Sequence, residues 1–399
     1  MVEDVNVIGS VKCRRVLNSH VEFTNEFLVE LDDGSLGCGG SPRGETISIY
    51  EDRKTPTNCQ AIIRAMESDG SFGRQFTQES FDAYLQGRMA AFGRNNAFAL
   101  SLAFLNATIA SRGATDPFGR ARGILSPPRI CCNILNGGQH AYTNPVLSDF
   151  TEYLLVSTTN DVPAVIADHN EIQRAVKARL LEQDKSVVCG NPVNRFATID
   201  NRECIDFLLS VLNELGLSGR FELMIDASAG GLWNDNQYRF PVTGRAFRSI
   251  EEFREFWMTL LRDYELRFLE DPFREEDFGS WQYLATSQRT CRVIGDNLYS
   301  SDERRILEGS ANNYSHGVVI KPDQSGTVTA ARRAVEAAQR AGQIIITSHR
   351  SISTESTFLS YLTCFYNVKY MKIGPLVTDY SSVVRLNEII RLTGEPTWH

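Results

Sequence analysis

Arg292-Val293-Ile294-Gly295-Asp296 and then, one helix length later, Gly317-Val318-Val319-Ile320-Lys321 set the pattern of this chain. Each is a short apolar run that ends on an ionisable residue. The pattern extends upstream through Glu222-Leu223-Met224-Ile225-Asp226 and Leu266-Arg267-Phe268-Leu269-Glu270. It extends downstream through Ile344-Ile345-Ile346-Thr347-Ser348 and Val368-Lys369-Tyr370-Met371-Lys372. These runs predict strands over 222–226, 266–270, 292–296, 317–321, 344–348 and 368–372. Helical patterns separate them. Ser249-Ile250-Glu251-Glu252 reads as a capping box before Phe253–Asp263. Thr327–Ala341 has an Ala/Val face and stops at Gly342. Glu355–Tyr366 and Ser382–Leu392 are amphipathic. Strand–helix alternation of this kind means βαβ units and a parallel sheet. Six units, with more upstream, fit a closed (β/α) barrel better than an open doubly wound sheet, although composition alone does not choose between them.

The first third reads differently. Residues 5–50 look like strands joined by turns. Glu26-Phe27-Leu28-Val29-Glu30-Leu31 runs into Asp32-Asp33-Gly34-Ser35, a hairpin connection. The glycine-rich, polar stretch Gly37–Ser48 reads as a loop. Residues 80–112 read as helices, Asn96–Ser111 among them. The expected organisation is an α+β module over 1–125 and a barrel over 126–399.

Composition narrows the function classes. A chain of 399 residues favours two domains, or one large barrel with an added module. With 42% hydrophobic and 23% charged residues, the main state is globular, not disordered. No run approaches the roughly 18–20 apolar residues of a membrane helix. Met1-Val2-Glu3-Asp4 shows no basic region followed by an apolar core, so no secretory signal is expected. The net charge of −8 weighs against a nucleic-acid partner but leaves local phosphate binding open. The nine cysteines include no Cys-x-x-Cys, which argues against a disulfide framework or a zinc site. Reduced, buried thiols in a cytoplasmic protein are the expectation.

The strand ends carry the chemistry. In a barrel they converge on one mouth. Asp226, Glu270 and Asp296 would repel one another there unless a cation neutralises them. Hard oxygen donors without cysteine suit magnesium. Lys321, His349, Arg350 and Lys372 follow. A desolvated lysine near other cations has a lowered pKa and can act as a base, while another holds a substrate carboxylate. Together they describe proton abstraction next to a carboxylate, with positive charge stabilising the enediolate. Any one of these residues alone reads as a turn, a cap or a solvated end. Five of six strands ending in an ionisable group, and the remaining one running into His349-Arg350, do not.

Leu269-Glu270-Asp271-Pro272-Phe273, Gly295-Asp296-Asn297-Leu298 and Ser348-His349-Arg350-Ser351 resemble enolases. So do Asn133-Ile134-Leu135-Asn136-Gly137-Gly138-Gln139-His140, Pro42-Arg43-Gly44-Glu45-Thr46 and Arg14-x-Val16-Leu17-Asn18-Ser19, so that the resemblance spans the whole chain. It implies an α+β capping domain on a modified barrel whose first units are irregular. It implies Asp226, Glu270 and Asp296 as ligands of a high-affinity Mg2+, and Thr46 as ligand of a second Mg2+ recruited with substrate. Lys321 matches the base, Lys372 the carboxylate-binding lysine, Arg350 and Ser351 the phosphate contacts. His349 matches an active-site histidine, and His140 the histidine of a closing loop. A homodimer is likewise implied.

The resemblance breaks at the general acid. Enolases use a glutamate in a Gly-Asp-Glu-Gly-Gly loop, supported by a second glutamate near the histidine loop. Counting back from Asp226 puts Asn191 at the first position, and an amide has no acidic proton to give. Asp149 falls at the second, and Arg43 and Glu45 alter the substrate loop. The expectation is an enolase paralogue specialised away from glycolysis. Its substrate would be a small phosphorylated or phosphonate carboxylic acid, with Arg43 as an additional cationic contact. The enolase-like carboxyphosphonoenolpyruvate synthases of phosphonate natural-product (antibiotic) biosynthesis are one such branch. The alternative is an ordinary enolase with a displaced acid such as Asp149 or Glu45. A non-catalytic binding protein has no use for five matched charges. A sugar-acid dehydratase has no use for the phosphate motif.

Overall fold

A computed structural model describes residues 4–44, 47–51, 58–114, 125–138, 148–182, 194–195, 198–374, 376 and 380–394. The N-terminal region is a sheet of β1 (Asn6–Leu17), β2 (Phe23–Leu31), β3 (Leu36–Gly40) and β4 (Gln75–Phe76), ordered β3-β2-β1-β4. The expected hairpin is present, with Gly34 in the left-handed region at φ 84° and Glu30 opposite Leu36. The stretch from Gly37 is not all loop, because Gly37–Gly40 belong to β3. Their lack of side chains serves close approach. A Cβ on Gly37 would lie 2.0 Å from the Ala107 amide nitrogen, and one on Gly39 2.0 Å from the Ala99 carbonyl. Both contacts come from helix Arg94–Ser111, which the sheet carries on its face.

The remaining strands are β5 (Arg129–Asn136), β6 (Glu152–Ser157), β7 (Asn194–Arg195), β8 (Phe221–Asp226), the small hairpin β9 (Trp233–Asn234) and β10 (Gln237–Tyr238), β11 (Leu266–Glu270), β12 (Arg292–Gly295), β13 (Gly317–Ile320), β14 (Ile344–Ser348) and β15 (Tyr370–Ile373). Eight of them form a ring in the order β5-β6-β8-β11-β12-β13-β14-β15, closed by pairing of β15 with β5. All neighbours are parallel except β6, which runs antiparallel to both β5 and β8. All six expected strands are found, each within two residues of its expected ends. The barrel interior is filled by Cys131, Leu154, Met224, Phe268, Ile294 and Val319, among others, so it is a packed core and not a pore. Among the described residues no helix is long and apolar enough to cross a membrane. Of the cysteines, Cys131, Cys132, Cys204, Cys291 and Cys364 are buried, but Cys13, Cys38 and Cys59 are only partly so.

A buried polar joint ties the N-terminal region to the barrel. Helix Val328–Arg340 directs its first amides at residues of the N-terminal region. Val328 N donates to Ser101 Oγ at 2.9 Å and Thr329 N to Asp82 Oδ2 at 2.8 Å. Asp82 also accepts from Ser101 Oγ and Gln78. Asp82→Ala strips these donors of a buried acceptor, and the expected loss in urea denaturation is about 2–3 kcal/mol. An unchanged midpoint would show that water replaces the carboxylate at no cost.

Candidate active site

The mouth of the barrel is built from strand ends, and the ring order fixes what faces what. Going round, the ring presents Glu152 at β6, Asp226 at β8, Glu270 at β11 and Asp296 just past β12. Lys321 then follows β13, His349-Arg350 follow β14, and Lys372 lies in β15. Strand pairing aligns them, with Glu152 opposite Asp226, Asp226 opposite Glu270, and Ser348 opposite Lys372. The backbone turns sharply here. Ser228, Asp271, Ser300 and Ser301 all adopt positive φ just after the charged residues of β8, β11 and β12. Such backbone costs of order 1–3 kcal/mol per residue and gathers at functional sites.

Two lysines organise the carboxylates. Lys372 Nζ lies 2.7 Å from Glu152 Oε2, 2.8 Å from Asp226 Oδ2 and 2.7 Å from Glu270 Oε2. Lys321 Nζ pairs with Asp296 Oδ2 at 2.5 Å. Glu152 Oε1 accepts from Asn133 at 2.7 Å, and Asp226 Oδ1 from Ser228 N and Oγ. The resulting shifts follow from the contacts. Burial, with Asp226 next, raises the Glu270 carboxyl well above its ordinary range. Burial pulls the Lys321 ammonium down, but Asp296 outweighs it and the net shift is upward. The direction is opposite to the expected lowering because the attraction of Asp296 outweighs burial and the neighbouring Lys372 and Arg350 charges.

A third cation anchors the neighbouring strand end. Arg350 Nη1 and Nη2 donate to the two oxygens of Glu51 at 3.3 and 2.9 Å, and its Nε lies 3.1 Å from Asp323 Oδ2. Gln324 Nε2 bridges Glu51 Oε1 at 3.2 Å and Asp296 Oδ1 at 3.4 Å. Glu51 reaches the barrel from the N-terminal region, whose segment 47–51 also rests on the barrel rim through Ser48 Oγ on the Asn297 carbonyl. His349 is half-buried beside Arg350. Ser351 is also half-buried, and its carbonyl accepts from Ser19 Oγ. A cavity of about 280 Å3 opens beside the cluster, bordered by Thr151, Ala227, Ser228, Leu232, Glu275 and Asn297.

Two expected residues are held by partners outside the lysine cluster. Asp149 is buried at the edge of this cavity, which it helps to line, and accepts from Asn201 Nδ2, the Val242 amide and Thr243 Oγ1. It braces a loop, and Glu152, three residues on, is the carboxylate that reaches the cluster. Arg43 turns outward into an ion pair with Glu22, half-exposed, while its backbone bridges to Ile352. It presents no charge to the mouth. Thr46, His140 and Asn191 lie outside the described residues. Glu51, Glu152, Asp271, Asp323 and Gln324 went unforeseen. Glu152 carried a legible signal, because an antiparallel strand presents its charged mouth residue first instead of last.

The donor set fits a hard divalent cation. Among the described residues, seven buried carboxylates (Glu51, Glu152, Asp226, Glu270, Asp271, Asp296 and Asp323) gather with three buried cations, Lys321, Arg350 and Lys372, at the mouth. Glu270 Oε1 is buried without a hydrogen-bond partner. An excess of buried negative charge with an orphaned carboxylate oxygen is the environment oxygen-ligated Mg2+ satisfies. Among the described residues no three such side chains are gathered round an open point, since Lys372 Nζ stands between three of them.

Fold and mouth together define a barrel enzyme with lysines set among converging carboxylates. The family model for the enolase C-terminal TIM barrel domain matches residues 125–397, and the chain belongs to the enolase family. It is similar to the enolase of Natronomonas pharaonis, 28% identical over 97% of this chain and 99% of the relative. It is equally similar to the enolase of Campylobacter jejuni, 28% identical over 93% of each chain. The protein is thus an enolase-type enzyme.

Proposed function

We propose that the enzyme is a Mg2+-dependent lyase that removes the α-proton of a 2-phosphoglycerate-type acid and expels the β-substituent to give a phosphoenolpyruvate-type product. The observation that carries this reading is the placement of Lys321 and Glu152. They stand four strands apart in a ring of eight, on opposite sides of the barrel. A base on one face of the substrate and a carboxyl group on the other suit removal of a proton from one carbon and departure of hydroxide from the next. Lys321 takes the α-proton, and Asp296 fixes its ammonium in place. Lys372 binds the substrate carboxylate, and Arg350, gripped by Glu51 and Asp323, binds the phosphorus group with Ser351. Magnesium held by Asp226, Glu270 and Asp296 would supply positive charge beside the substrate carboxylate. The family resemblance supports a soluble homodimer acting in the cytoplasm.

A second reading, a carboxyphosphonoenolpyruvate synthase or a similar phosphonate-pathway enzyme, rests on Asn191, since Arg43 is paired with Glu22. The test is 2-phosphoglycerate with Mg2+, followed by phosphoenolpyruvate formation and by α-proton exchange with deuterated solvent. Turnover of about 10 per second or more assigns the ordinary reaction. Exchange without product assigns the second reading, and neither signal sinks both. Where turnover is seen, Glu152→Gln should lower product formation by about 10²-fold while exchange persists. Equal loss of both would place Glu152 on the base side instead.

A further inference from the structure

We propose that Asp271 is the positioning residue that presents Asp296 to Lys321 and to the cation, an inference that rests on the metal-dependent reading above. Asp271 follows Glu270 directly, is 2% exposed and has φ 43°. Its two carboxylate oxygens are spent on the next strand end. Oδ1 accepts from the Asp296 amide at 2.9 Å and Oδ2 from the Asn297 amide at 2.8 Å. Its own backbone joins that strand end again and one more. The Asp271 amide donates to the Ile294 carbonyl at 3.0 Å, and its carbonyl accepts from the Ala229 amide at 2.9 Å. One residue thus links the ends of β8, β11 and β12, whose carboxylates Asp226, Glu270 and Asp296 are the expected ligands.

The carboxylate has no route to the substrate, since both oxygens are occupied by backbone N–H groups. Its action is on geometry. Asp296 hangs from a backbone whose amide and whose successor's amide are both fixed by Asp271. Its Oδ2 must meet Lys321 Nζ and its Oδ1 lies by Gln324. The left-handed backbone at Asp271 aims the carboxylate across to β12, and aspartate tolerates that region better than most residues. Groups that orient metal ligands typically cost about 10–100-fold in metal affinity or activity when removed.

Asp271→Asn tests this. The amide keeps the size but offers one oxygen to two N–H groups and turns its NH2 against the other. Mg2+ affinity, read from the Mg2+-dependent rise in the thermal unfolding midpoint, should fall about 10–100-fold. In steady state kcat should fall with KM for the organic acid nearly unchanged, since Arg350 and Lys372 are untouched. A drop in the metal-free midpoint with unaltered Mg2+ affinity and kcat would make Asp271 a folding residue and overturn the proposal. Wild-type protein that shows no Mg2+-dependent shift would instead remove the metal-dependent reading. Asp271→Ser, which leaves room for water to bridge both amides, is the second variant. Failure of both to fold also overturns the positioning role.

Discussion

Lys321→Ala is expected to abolish exchange of the substrate α-proton with solvent deuterium, lowering the rate by roughly 10²–10⁴-fold, the usual worth of a general base. The argument is positional. Lys321 is buried, its backbone amide is fixed by Ser301 Oγ at 2.9 Å, and its Nζ is tethered to Asp296. The other lysine of the mouth is committed to three carboxylates. The upward shift of Lys321 sets a further expectation. In metal-free protein it stays protonated and inert as a base, so exchange should depend on added Mg2+ as well as on the lysine. Exchange at the wild-type rate in Lys321→Ala would move the base to His349.

Lys372→Met is expected to cost about 3–5 kcal/mol of stability in metal-free protein near neutral pH, because it strands buried carboxylates without their cation. Burial pulls the Lys372 ammonium down, yet Asp226, Glu152 and Glu270 hold it well above its ordinary 10.5. A lysine raised in the folded state contributes stability that is fully present below 10.5 and lost only as pH rises above it. Its own contribution is therefore flat through neutrality. The pH dependence of the variant comes from Glu270, already raised well above 4.5 by burial. An acid raised in the folded state destabilises as pH rises above its unfolded value. The gap between wild type and variant should thus widen as pH rises past the raised range in which wild-type Glu270 itself ionises, since below it both proteins hold the acid protonated, as measured by urea unfolding in chelator. Added Mg2+ should narrow it. A gap that stays constant across that range would show that the carboxylates are not left ionised.

The barrel was legible because the parallel strands from β8 onward run into charged residues at the mouth. A strand covered on both faces must be apolar along its length, and it can turn polar only where it reaches the mouth. Glu222–Asp226, Leu266–Glu270 and Ile344–Ser348 sit within a residue of β8, β11 and β14 for that reason. Asp226, Glu270, Asp296, Lys321, Arg350 and Lys372 were legible for the same one. What escaped depends on direction in space. Arg43 and Glu51 belong to one substrate-side stretch, but only the fold shows that the first turns to Glu22 and the second to Arg350. Asp149 and Glu152 are both acids beside the histidine loop. Only the antiparallel register, which sets Glu152 against Asp226, separates them. Glycine in 37–40 suggested a loop because sequence cannot show the helix lying against it.

The reversal of β6 has a consequence for how this scaffold can change. Asn136 pairs with Glu152, so the stretch 137–151 begins and ends on the reaction side of the barrel. Every connection after β8 must carry the chain back past the barrel's full height, which ties its length to the architecture. This one has no such obligation. Doubling a flexible connection costs only about 0.6 kcal/mol of closure entropy. Residues can therefore be gained or lost there with the cation and base half of the mouth undisturbed. An engineer seeking to change what the enzyme accepts would begin with that stretch, and descent with modification has the same easy entry.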